Sequence, residues 1–400
     1  MKASTLVSGS EQELAEALAA LRTRGRESEE AVPGPDVVVT GSARPDPAPL
    51  LDSFPGAVGS EDPDPIVLTT ARLSEVIEFR PRDLTIEVGA GMRMRELLRL
   101  LEERGLWLPV SGEGLERSVG GWVAAASPSM WDSAFGPVRR QLLGCRMLTT
   151  AGETLNWGRH VMKNVAGYDL PRLLAGSRGR LGVLTRVTLR LWPGPENTSV
   201  LSFPGESGWD QGDFSGADAR VIHVSRDGEL REIAVFAGRE ESVRRRRAAL
   251  HGFLGSDGLH ASEPVETGIV VPPPRTPGST VYRLTPGRRY LASTVHSLVD
   301  TTDRGRPAIR AWPRSGSMLA RFDTASARER MQSALDRLEF RWPDGDPMAA
   351  GTGLPFGLER GGPADLEWAQ ERRKPSAVAI ESRIEKVFGA WPRSWLADHI

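Results

Sequence analysis

The residues of this sequence whose types and spacing could do chemistry are glycines grouped in short runs. The segment Ser118–Gly121 holds two adjacent glycines, and Gly176, Gly179 and Gly182 recur at regular spacing. Because glycine has no Cβ, the backbone N–H groups of such turns can converge on a phosphate group. The pattern therefore indicates a phosphate-bearing ligand such as a nucleotide or, as the alternative, ordinary tight turns.

Two common nucleotide signatures are absent from the sequence. No Gly-Lys pair occurs, so the chain lacks the phosphate loop G-x-x-x-x-G-K-[ST]. The glycines from Gly176 to Gly182 are spaced G-x-x-G-x-x-G, whereas the dinucleotide fingerprint is G-x-G-x-x-G and opens a helix. Here the glycines precede a predicted strand. The sequence therefore argues against a Rossmann-type NAD site.

The thiol and the imidazoles give no second candidate site. Cys145 is the single cysteine and stands in an apolar run, which excludes an intrachain disulfide and predicts a buried, inert thiol. The histidines of the C-terminal half do not have metal-ligand spacing, so no metal site is predicted. These histidines are His223, His251, His260, His296 and His399.

Composition narrows the class of protein. The 400 residues favour two or three domains, and 39% hydrophobic residues suffice for a sizeable core. The formal net charge of −1 argues against nucleic acid and anionic membranes as partners. No apolar window approaches the roughly 18 residues that a spanning helix needs, and the N-terminus is polar at once. We therefore expect a soluble, cytoplasmic protein without a direct membrane span.

Hydrophobic periodicity predicts the elements of the N-terminal half. A capping box at Ser10–Glu13 begins a helix that ends near Gly25, and apolar spacing from Met94 to Leu101 predicts a second helix. A glycine-rich turn is predicted at 118–121. Pro193-Gly194-Pro195 predicts the end of the first domain. Strands are predicted at 37–40, 66–69, 84–88 and 181–191, with a hairpin over 144–157 and a helical pattern at 170–174.

The C-terminal half reads as a second α+β unit. Its strands and helices alternate in an order that fits a sheet covered by helices on one face. Arg244–Arg247 is interpreted as the solvated face of a helix. Strands are predicted at 221–224, 233–236, 281–284, 308–312 and 318–322, helices at 240–253, 290–298, 325–338 and 377–388, and a Pro/Gly-rich loop at 341–375.

One long stretch resembles a known family. The run Val161–Leu170 reads VMKNVAGYDL and is followed by Arg172–Ser177, then by Gly179 and Leu181–Thr185. In this order the motifs resemble the signature of FAD-linked oxidases of the vanillyl-alcohol-oxidase (PCMH-type) fold. The run from Met162 to Tyr168 is especially similar to the FAD-binding E subunits of glycolate oxidase. The resemblance is strong over about residues 66–193.

The resemblance implies an architecture and a cofactor. Residues 1–197 would form a two-subdomain PCMH-type FAD-binding domain, and residues 198–400 an α+β, ferredoxin-like cap that contacts partner subunits. FAD would be bound non-covalently, with the Ser118–Gly121 amides facing its pyrophosphate. The implied cofactor-binding residues are Gly41, Ser42, Ser118, Val119, Gly120, Gly121, Gly136, Gly179, Gly182 and Val183.

The same family pattern leaves two functions open. The chain departs from it at Thr40–Pro45, at Arg140 and at Ala126–Trp131, and it lacks the H-G-D-G-N stretch of relatives that oxidise hydroxy acids. One hypothesis is a subunit that passes electrons from a 2-hydroxy acid such as glycolate through FAD to a downstream acceptor. Its partners would be a second flavoprotein and an iron–sulfur subunit, and no catalytic residue is assigned. The alternative is a non-catalytic scaffold subunit that has lost FAD.

Overall fold

The described residues fall into two compact units. The first unit holds those up to Gly194 except Met130–Ala134, and the second holds Met130–Ala134 and those from Pro195 onward. The boundary predicted from the sequence lies close by, after residue 197. The computed structural model describes residues 4–7, 10–24, 37–40, 66–149, 152–158, 173–177, 179, 181–204, 216–225, 227–254, 280–284, 288–299, 307–313, 316–322, 329 and 356–360.

The first unit contains a small parallel sheet and one long helix. Strands β1 (Ser4–Val7), β2 (Val37–Thr40) and β3 (Ile66–Thr69) lie in the order β1-β3-β2. Helix α1 (Glu11–Arg24) begins as the capping box predicts, because the Ser10 hydroxyl accepts a hydrogen bond from a backbone N–H of the first turn at 3.2 Å. The predicted helix is confirmed.

A five-stranded antiparallel sheet forms the larger part of this unit. Its order is β4-β5-β9-β7-β8. Strands β7 and β8 form the predicted hairpin, and Gly152 in its turn has a φ of +78°. The strands are β4 (Val76–Arg80), β5 (Thr85–Gly89), β7 (Leu142–Leu148), β8 (Thr154–Gly158) and β9 (Val183–Arg190). A short pair, β6 (Leu106–Trp107) with β10 (Trp192–Pro193), and helices α2 (Met94–Glu102), α3 (Val119–Ala125) and α5 (Val138–Gln141) also belong to this unit. The short helix α4 (Asp132–Phe135) belongs to the second unit except for Phe135.

Helix α1 ties the two sheets together. Its Leu14 and Leu18 pack in one buried cluster with Leu68 of the small sheet, Leu148 and Val183 of the large sheet, and Leu73 of the loop between β3 and β4. Arg146 and Arg186 are cross-strand neighbours on β7 and β9, where two like charges would repel. The Glu11 carboxylate lies 2.6 Å from Arg146 Nε and 3.7 Å from Arg186 Nε. One acidic side chain of the helix therefore compensates both cations.

The second unit is built on a seven-stranded sheet. Helix α6 (Glu240–Leu254) covers one face of this sheet, as predicted, and packs against apolar residues at alternate positions along two strands. The strand order is β11-β13-β12-β15-β16-β14-β17, and all neighbours are antiparallel. The elements are β11 (Asn197–Pro204), β12 (Ala219–Val224), β13 (Leu230–Gly238), α6 (Glu240–Leu254), β14 (Thr280–Leu284), α7 (Arg288–Val299), β15 (Ala308–Trp312), β16 (Ser317–Phe322) and β17 (Phe356–Arg360).

Three features of the second unit differ from the sequence expectations. Strand β11 was not predicted, and β17 lies in a segment predicted to be loop. Residues Met130–Ala134 belong to this unit although the chain returns to the first unit afterwards. Within the second unit, the Ser133 hydroxyl donates a hydrogen bond to the Asp218 carbonyl oxygen at 2.8 Å. The predicted helices at 325–338, apart from Glu329, and at 377–388 lie outside the described residues.

Arg246 corrects the interpretation of the arginine run. Arg244 and Arg245 are exposed as expected, but the Arg246 guanidinium points back to the sheet. It donates hydrogen bonds to the carbonyl oxygens of Gly216 and Ala237 at 2.9 and 2.8 Å. It also donates to Asp218 Oδ2 at 2.9 Å, which accepts the Ala237 N–H as well. Arg246 is therefore a clamp between α6 and β13.

No described helix is both long and apolar enough to cross a membrane.

Replacing Arg246 by alanine should destabilise the second unit. Three hydrogen bonds are lost, while Asp218 Oδ2 keeps the Ala237 N–H, so we expect the free energy of unfolding to fall by about 2 kcal/mol. Hydrogen exchange of β13 peptides as a function of urea measures this unit directly. Arg245→Ala removes an equal charge from an exposed position, and a loss of equal size in that control would contradict the clamp.

Candidate functional site

The segment Ser118–Gly121 is the start of a helix, not the turn that the sequence suggested. Ser118 caps α3, and its Oγ accepts the Gly121 N–H at 3.1 Å. The Val119 N–H donates to the Met92 carbonyl at 2.8 Å, and the Gly120 N–H donates to the Ala90 carbonyl at 2.7 Å. These three amides are thus used within the protein. Their expected role towards a pyrophosphate stays a prediction, and this structure gives them protein acceptors instead.

Close backbone approach explains why this segment carries glycine. A Cβ on Gly120 would lie 2.8 Å from Ala90 Cβ and 3.0 Å from its carbonyl oxygen. A Cβ on Gly91 would lie 1.9 Å from the Thr70 carbonyl oxygen. The Ala90 N–H in turn donates to the Thr185 carbonyl of β9 at 2.9 Å. The loop after β5 is therefore held against the end of β3, the start of α3 and β9 at once.

The second glycine group lies at the other end of α3. The Gly176 N–H donates to the Val123 carbonyl at 3.1 Å, and Ala126 ends the helix with a φ of +45°. Gly179 is buried with a φ of +76°, and its carbonyl accepts the Gly182 N–H at 3.3 Å. Gly176 and Gly179 therefore form tight turns beside the C-terminus of α3.

Gly182 closes this turn onto the large sheet. Its φ is +148°, and a Cβ there would lie 2.5 Å from the Leu148 carbonyl oxygen at the end of β7. Val183 follows as the first residue of β9 and is fully buried. Ala90, in the loop after β5, hydrogen-bonds to both Gly120 and Thr185 of β9. The segments Ser118–Gly121 and Gly182–Val183 therefore both lie near this loop.

Gly136 lies at a different corner of the first unit. It has a φ of +86°, and its carbonyl accepts a hydrogen bond from Gln141 Nε2 at 3.1 Å. Gln141 is buried, and its Oε1 accepts the Trp192 indole N–H at 3.1 Å. The described contacts of Gly136 are thus structural, and its place at a cofactor stays a prediction.

The remaining predicted positions give less information. Gly41 and Ser42 lie outside the described residues. Trp131 is buried, with 5% of its surface exposed, and lies in the segment that belongs to the second unit.

Burial raises the pKa of Cys145 to about 12, so this thiol stays protonated, as expected of an inert group. In the described part of the chain, no three His, Cys, Asp or Glu residues are grouped to hold a metal.

Ser127 is a further candidate site residue, which the sequence pattern did not single out. It follows the C-cap of α3 and is 3% exposed, yet its Oγ has no hydrogen-bond partner in the structure. Nearby in sequence, Ser129 Oγ pairs with Ser111 Oγ at 2.8 Å. A buried hydroxyl without a partner is costly unless a ligand supplies one. The two serines, Ser127 and Ser129, in the otherwise apolar run after Val123 were the available signal.

Comparison with known proteins identifies the domain around these residues. Residues 53–158 match the family model described as FAD binding domain. The glycolate oxidase subunit GlcE of Escherichia coli K12 is 39% identical over 128 residues, covering 32% of this chain and 37% of that protein. The glycolate oxidase subunit GlcD of Bacillus subtilis is 30% identical over 137 residues, covering 34% and 29%. A D-2-hydroxyglutarate dehydrogenase of Xanthomonas citri pv. viticola is 33% identical over 142 residues, covering 35% and 30%.

The matched region is thus about a third of the length of these relatives. A solved structure of alkyldihydroxyacetonephosphate synthase, in space group P2₁2₁2₁, matches with a TM-score of 0.63 at 12% identity. That match covers 97% of this chain and 75% of the synthase, and at this identity it shows the fold alone. The predicted α+β fold with a PCMH-type FAD-binding domain is confirmed, and so is FAD as the cofactor class.

One described group is available to such a cofactor. The hydroxyl of Ser127, just after α3, has no hydrogen-bond partner among the described residues and can bond to a polar atom of a bound ligand. The glycines Gly91, Gly120 and Gly182 serve the packing of the protein itself, because a Cβ on each would overlap atoms of other backbone segments.

Replacing Gly182 by alanine should disrupt the turn before β9. The methyl group would overlap the Leu148 carbonyl and force an unfavourable φ, so we expect a loss of about 3 kcal/mol in the free energy of unfolding. Chemical denaturation measures the loss. Gly252→Ala in α6 meets nothing within 4 Å and should be neutral or stabilising. Wild-type stability of Gly182→Ala would show that the turn is built differently.

Replacing Ser127 by alanine should have opposite effects on stability and on FAD binding. The FAD-free protein should gain about 1 kcal/mol, because an unpartnered buried hydroxyl is removed. The dissociation constant of FAD should rise about fivefold through the lost hydrogen bond. Thermal unfolding and flavin fluorescence titration measure the two effects.

Thr85→Val is the matched control for this prediction. Thr85 Oγ1 in β5 is also buried without a hydrogen-bond partner, and Thr85 is 1% exposed. This variant should gain stability and keep wild-type FAD affinity. Equal FAD affinity in Ser127→Ala and wild type would remove Ser127 from the cofactor site.

Proposed function

We propose that this chain, whose residues 53–158 form an FAD binding domain, is the FAD-binding subunit of an oxidoreductase acting on a small 2-hydroxy acid such as glycolate. The observation that carries the proposal is the 39% identity to the glycolate oxidase subunit GlcE across this domain. Other relatives with the same domain are named as D-2-hydroxyglutarate and D-lactate dehydrogenases. A 2-hydroxy acid is the substrate type that these names share.

In this proposal FAD accepts two electrons from the hydroxy acid and passes them to a downstream acceptor. The role of this chain is to position the FAD. The hydrogen bonds of Ala90 to Gly120 and Thr185 fix the position of α3 relative to β9. Ser127 offers FAD a hydrogen bond at the end of α3. FAD is held non-covalently, because no histidine of the chain stands in a motif suited to covalent attachment.

The proposed setting is a complex in the cytoplasm. Two relatives are named as subunits of glycolate oxidase, which supports a second flavoprotein subunit as partner. An iron–sulfur subunit would serve as the electron acceptor. The described residues contain no cluster of metal ligands of their own, so a partner carrying the acceptor is consistent with the chain. No catalytic residue is assigned to this chain.

One observation favours the alternative of a scaffold subunit without FAD. The amides of Val119, Gly120 and Gly121 all donate to protein acceptors, which reduces the donors available to a pyrophosphate. In this second candidate function the fold persists to stabilise a complex. The two candidates differ in whether the purified chain holds flavin.

The test is to purify the full chain, record its visible spectrum, and quantify flavin released by denaturation. We expect near-stoichiometric FAD, and bleaching of the flavin band when glycolate or D-lactate is added anaerobically in the presence of the partner subunits. A colourless protein that takes up no added FAD would establish the scaffold. Retained FAD that no 2-hydroxy acid reduces, with or without the partners, would contradict the proposed reaction.

A further inference from the structure

The chain leaves the first unit for five residues shortly after α3 and then returns. Met130–Ala134 belong to the second unit, whereas the residues on either side belong to the first. Ser127, whose buried Oγ has no hydrogen-bond partner among the described residues, stands only three residues before Met130. Residues 127–134 therefore form one short connecting segment, which begins at a candidate cofactor-binding group of the first unit and ends in the second unit.

The second-unit end of the connecting segment is held by a hydrogen bond and by burial. Ser133 Oγ donates to the Asp218 carbonyl oxygen at 2.8 Å. The Met130 carbonyl oxygen lies 3.5 Å from the same Oγ, so the single hydroxyl proton makes its better hydrogen bond to Asp218. Met130 and Trp131 are 7% and 5% exposed. The segment is therefore fixed at this end.

The acceptor Asp218 is itself fixed against the sheet of the second unit. Its N–H donates to the Val235 carbonyl oxygen at 2.8 Å. Its Oδ2 accepts the Ala237 N–H at 2.7 Å and a guanidinium N–H of Arg246 at 2.9 Å. Ser133 is thus attached to the Arg246 clamp, so its position follows that of β13 and α6.

The backbone between this anchor and α3 is stiff. Ala126 ends α3 with a φ of +45°. The Pro128 ring fixes its own φ at roughly −65° and restricts the torsions of Ser127 before it. Ser129 Oγ pairs with Ser111 Oγ at 2.8 Å, which restrains the segment from the side of the first unit. Because few torsions are left to absorb a shift, Ser127 keeps its place only while both ends are held.

We propose that the second unit sets the affinity of the first unit for FAD through the connecting segment. Ser127 is the group that touches the ligand, and Ser133 is a positioning residue that acts only through Ser127. The contact of Ser127 with FAD rests on the proposed function, whereas the coupling of Ser133 to Ser127 rests on the hydrogen bonds and the stiff backbone. When Ser133 is released from Asp218, the segment gains conformations in which Ser127 Oγ reaches water, and only the remaining fraction binds FAD with full affinity.

The coupling is reciprocal, so the wild-type protein alone can reveal it. If the Ser133 contact strengthens FAD binding by some factor, bound FAD strengthens that contact by the same factor. We expect amide hydrogen exchange across residues 130–134 to slow about fourfold at saturating FAD. The Ala134 N–H, which donates to the Trp131 carbonyl oxygen at 3.1 Å, is the reporter amide of this segment.

The first experiment titrates the full chain with FAD and follows flavin fluorescence. We expect Ser133→Ala to raise the dissociation constant about fourfold, slightly less than the rise of about fivefold expected for Ser127→Ala. Ser225→Ala is the matched control, because Ser225 Oγ also donates to a backbone carbonyl of the second unit, that of Glu229, at 3.3 Å. This control should bind FAD as the wild type does. Hydrogen exchange of β13 peptides in urea checks that both variants keep the second unit folded.

A double-mutant cycle decides whether Ser133 acts through Ser127. If it does, the double variant should bind FAD about fivefold more weakly than the wild type, as Ser127→Ala alone does. Independent contributions would instead multiply to a loss of about twentyfold. The larger loss would overturn the inference, because Ser133 would then affect FAD binding by another route.

A second cycle needs no cofactor. In the FAD-free protein, Ser127→Ala should raise the thermal midpoint by about 3 °C, because an unpartnered buried hydroxyl is removed. In the Ser133→Ala background the hydroxyl already reaches water, so the same substitution should raise the midpoint by less than about 1 °C. An equal rise in both backgrounds would show that the second unit does not control Ser127.

The outcomes separate this inference from the proposed function. A chain that takes up no FAD but shows the coupling in the thermal midpoints would place the failure in the proposed function. A loss of FAD affinity in Ser133→Ala that vanishes in the Ser127→Ala background supports the inference. Wild-type FAD affinity in Ser133→Ala would overturn it even where glycolate reduces the flavin. So would hydrogen exchange across residues 130–134 that saturating FAD leaves unchanged, a measurement that needs no variant.

Discussion

The first unit depends on direct contact between backbone segments around Ala90, with no side chain between them. The Ala90 N–H and carbonyl bond to β9 and α3, and Gly91 beside it donates its N–H to the Leu73 carbonyl at 2.8 Å. Because the ideal Cβ positions at Gly91 and Gly120 overlap backbone atoms, these distances exist only with glycine. The small sheet, the large sheet and α3 are thereby fixed by one loop, and every candidate cofactor residue described at α3 or β9 takes its position from it.

Much of the fold could be predicted from the sequence because local patterns determine it. The capping box of α1 and the turn at Gly152 are short-range signals, and both elements form where they were expected. Strand β17 has no such signal, because Pro and Gly surround it and its pairing with β14 is a long-range contact. The start of α3 was mistaken for a turn because two glycines disfavour a helix, whereas the Ser118 cap and the bonds to Ala90 and Met92 stabilise one.

The candidate site, like the fold, could be predicted from the sequence only in part. The family signature identified the domain, and the comparisons confirm it, but a motif does not show which amides are already bonded. The acceptors of Val119 and Gly120 lie about 30 residues earlier in the chain, so only the tertiary structure reveals them. The Arg246 clamp could not be predicted for the same reason, since only the tertiary structure brings the Gly216 and Ala237 carbonyls to this residue of α6.

The pairing of β5 with β9 has a consequence for biosynthesis. Residues 85–89 must wait for residues 183–190, so the central pair of the large sheet joins segments roughly a hundred residues apart. At a synthesis rate of about 5–20 residues per second, β5 stays without that partner for on the order of 5–20 s on the ribosome. During this interval a hairpin of β4 and β5 leaves the second edge of β5 unpaired, and an unpaired strand edge is open to wrong pairing until β9 is made.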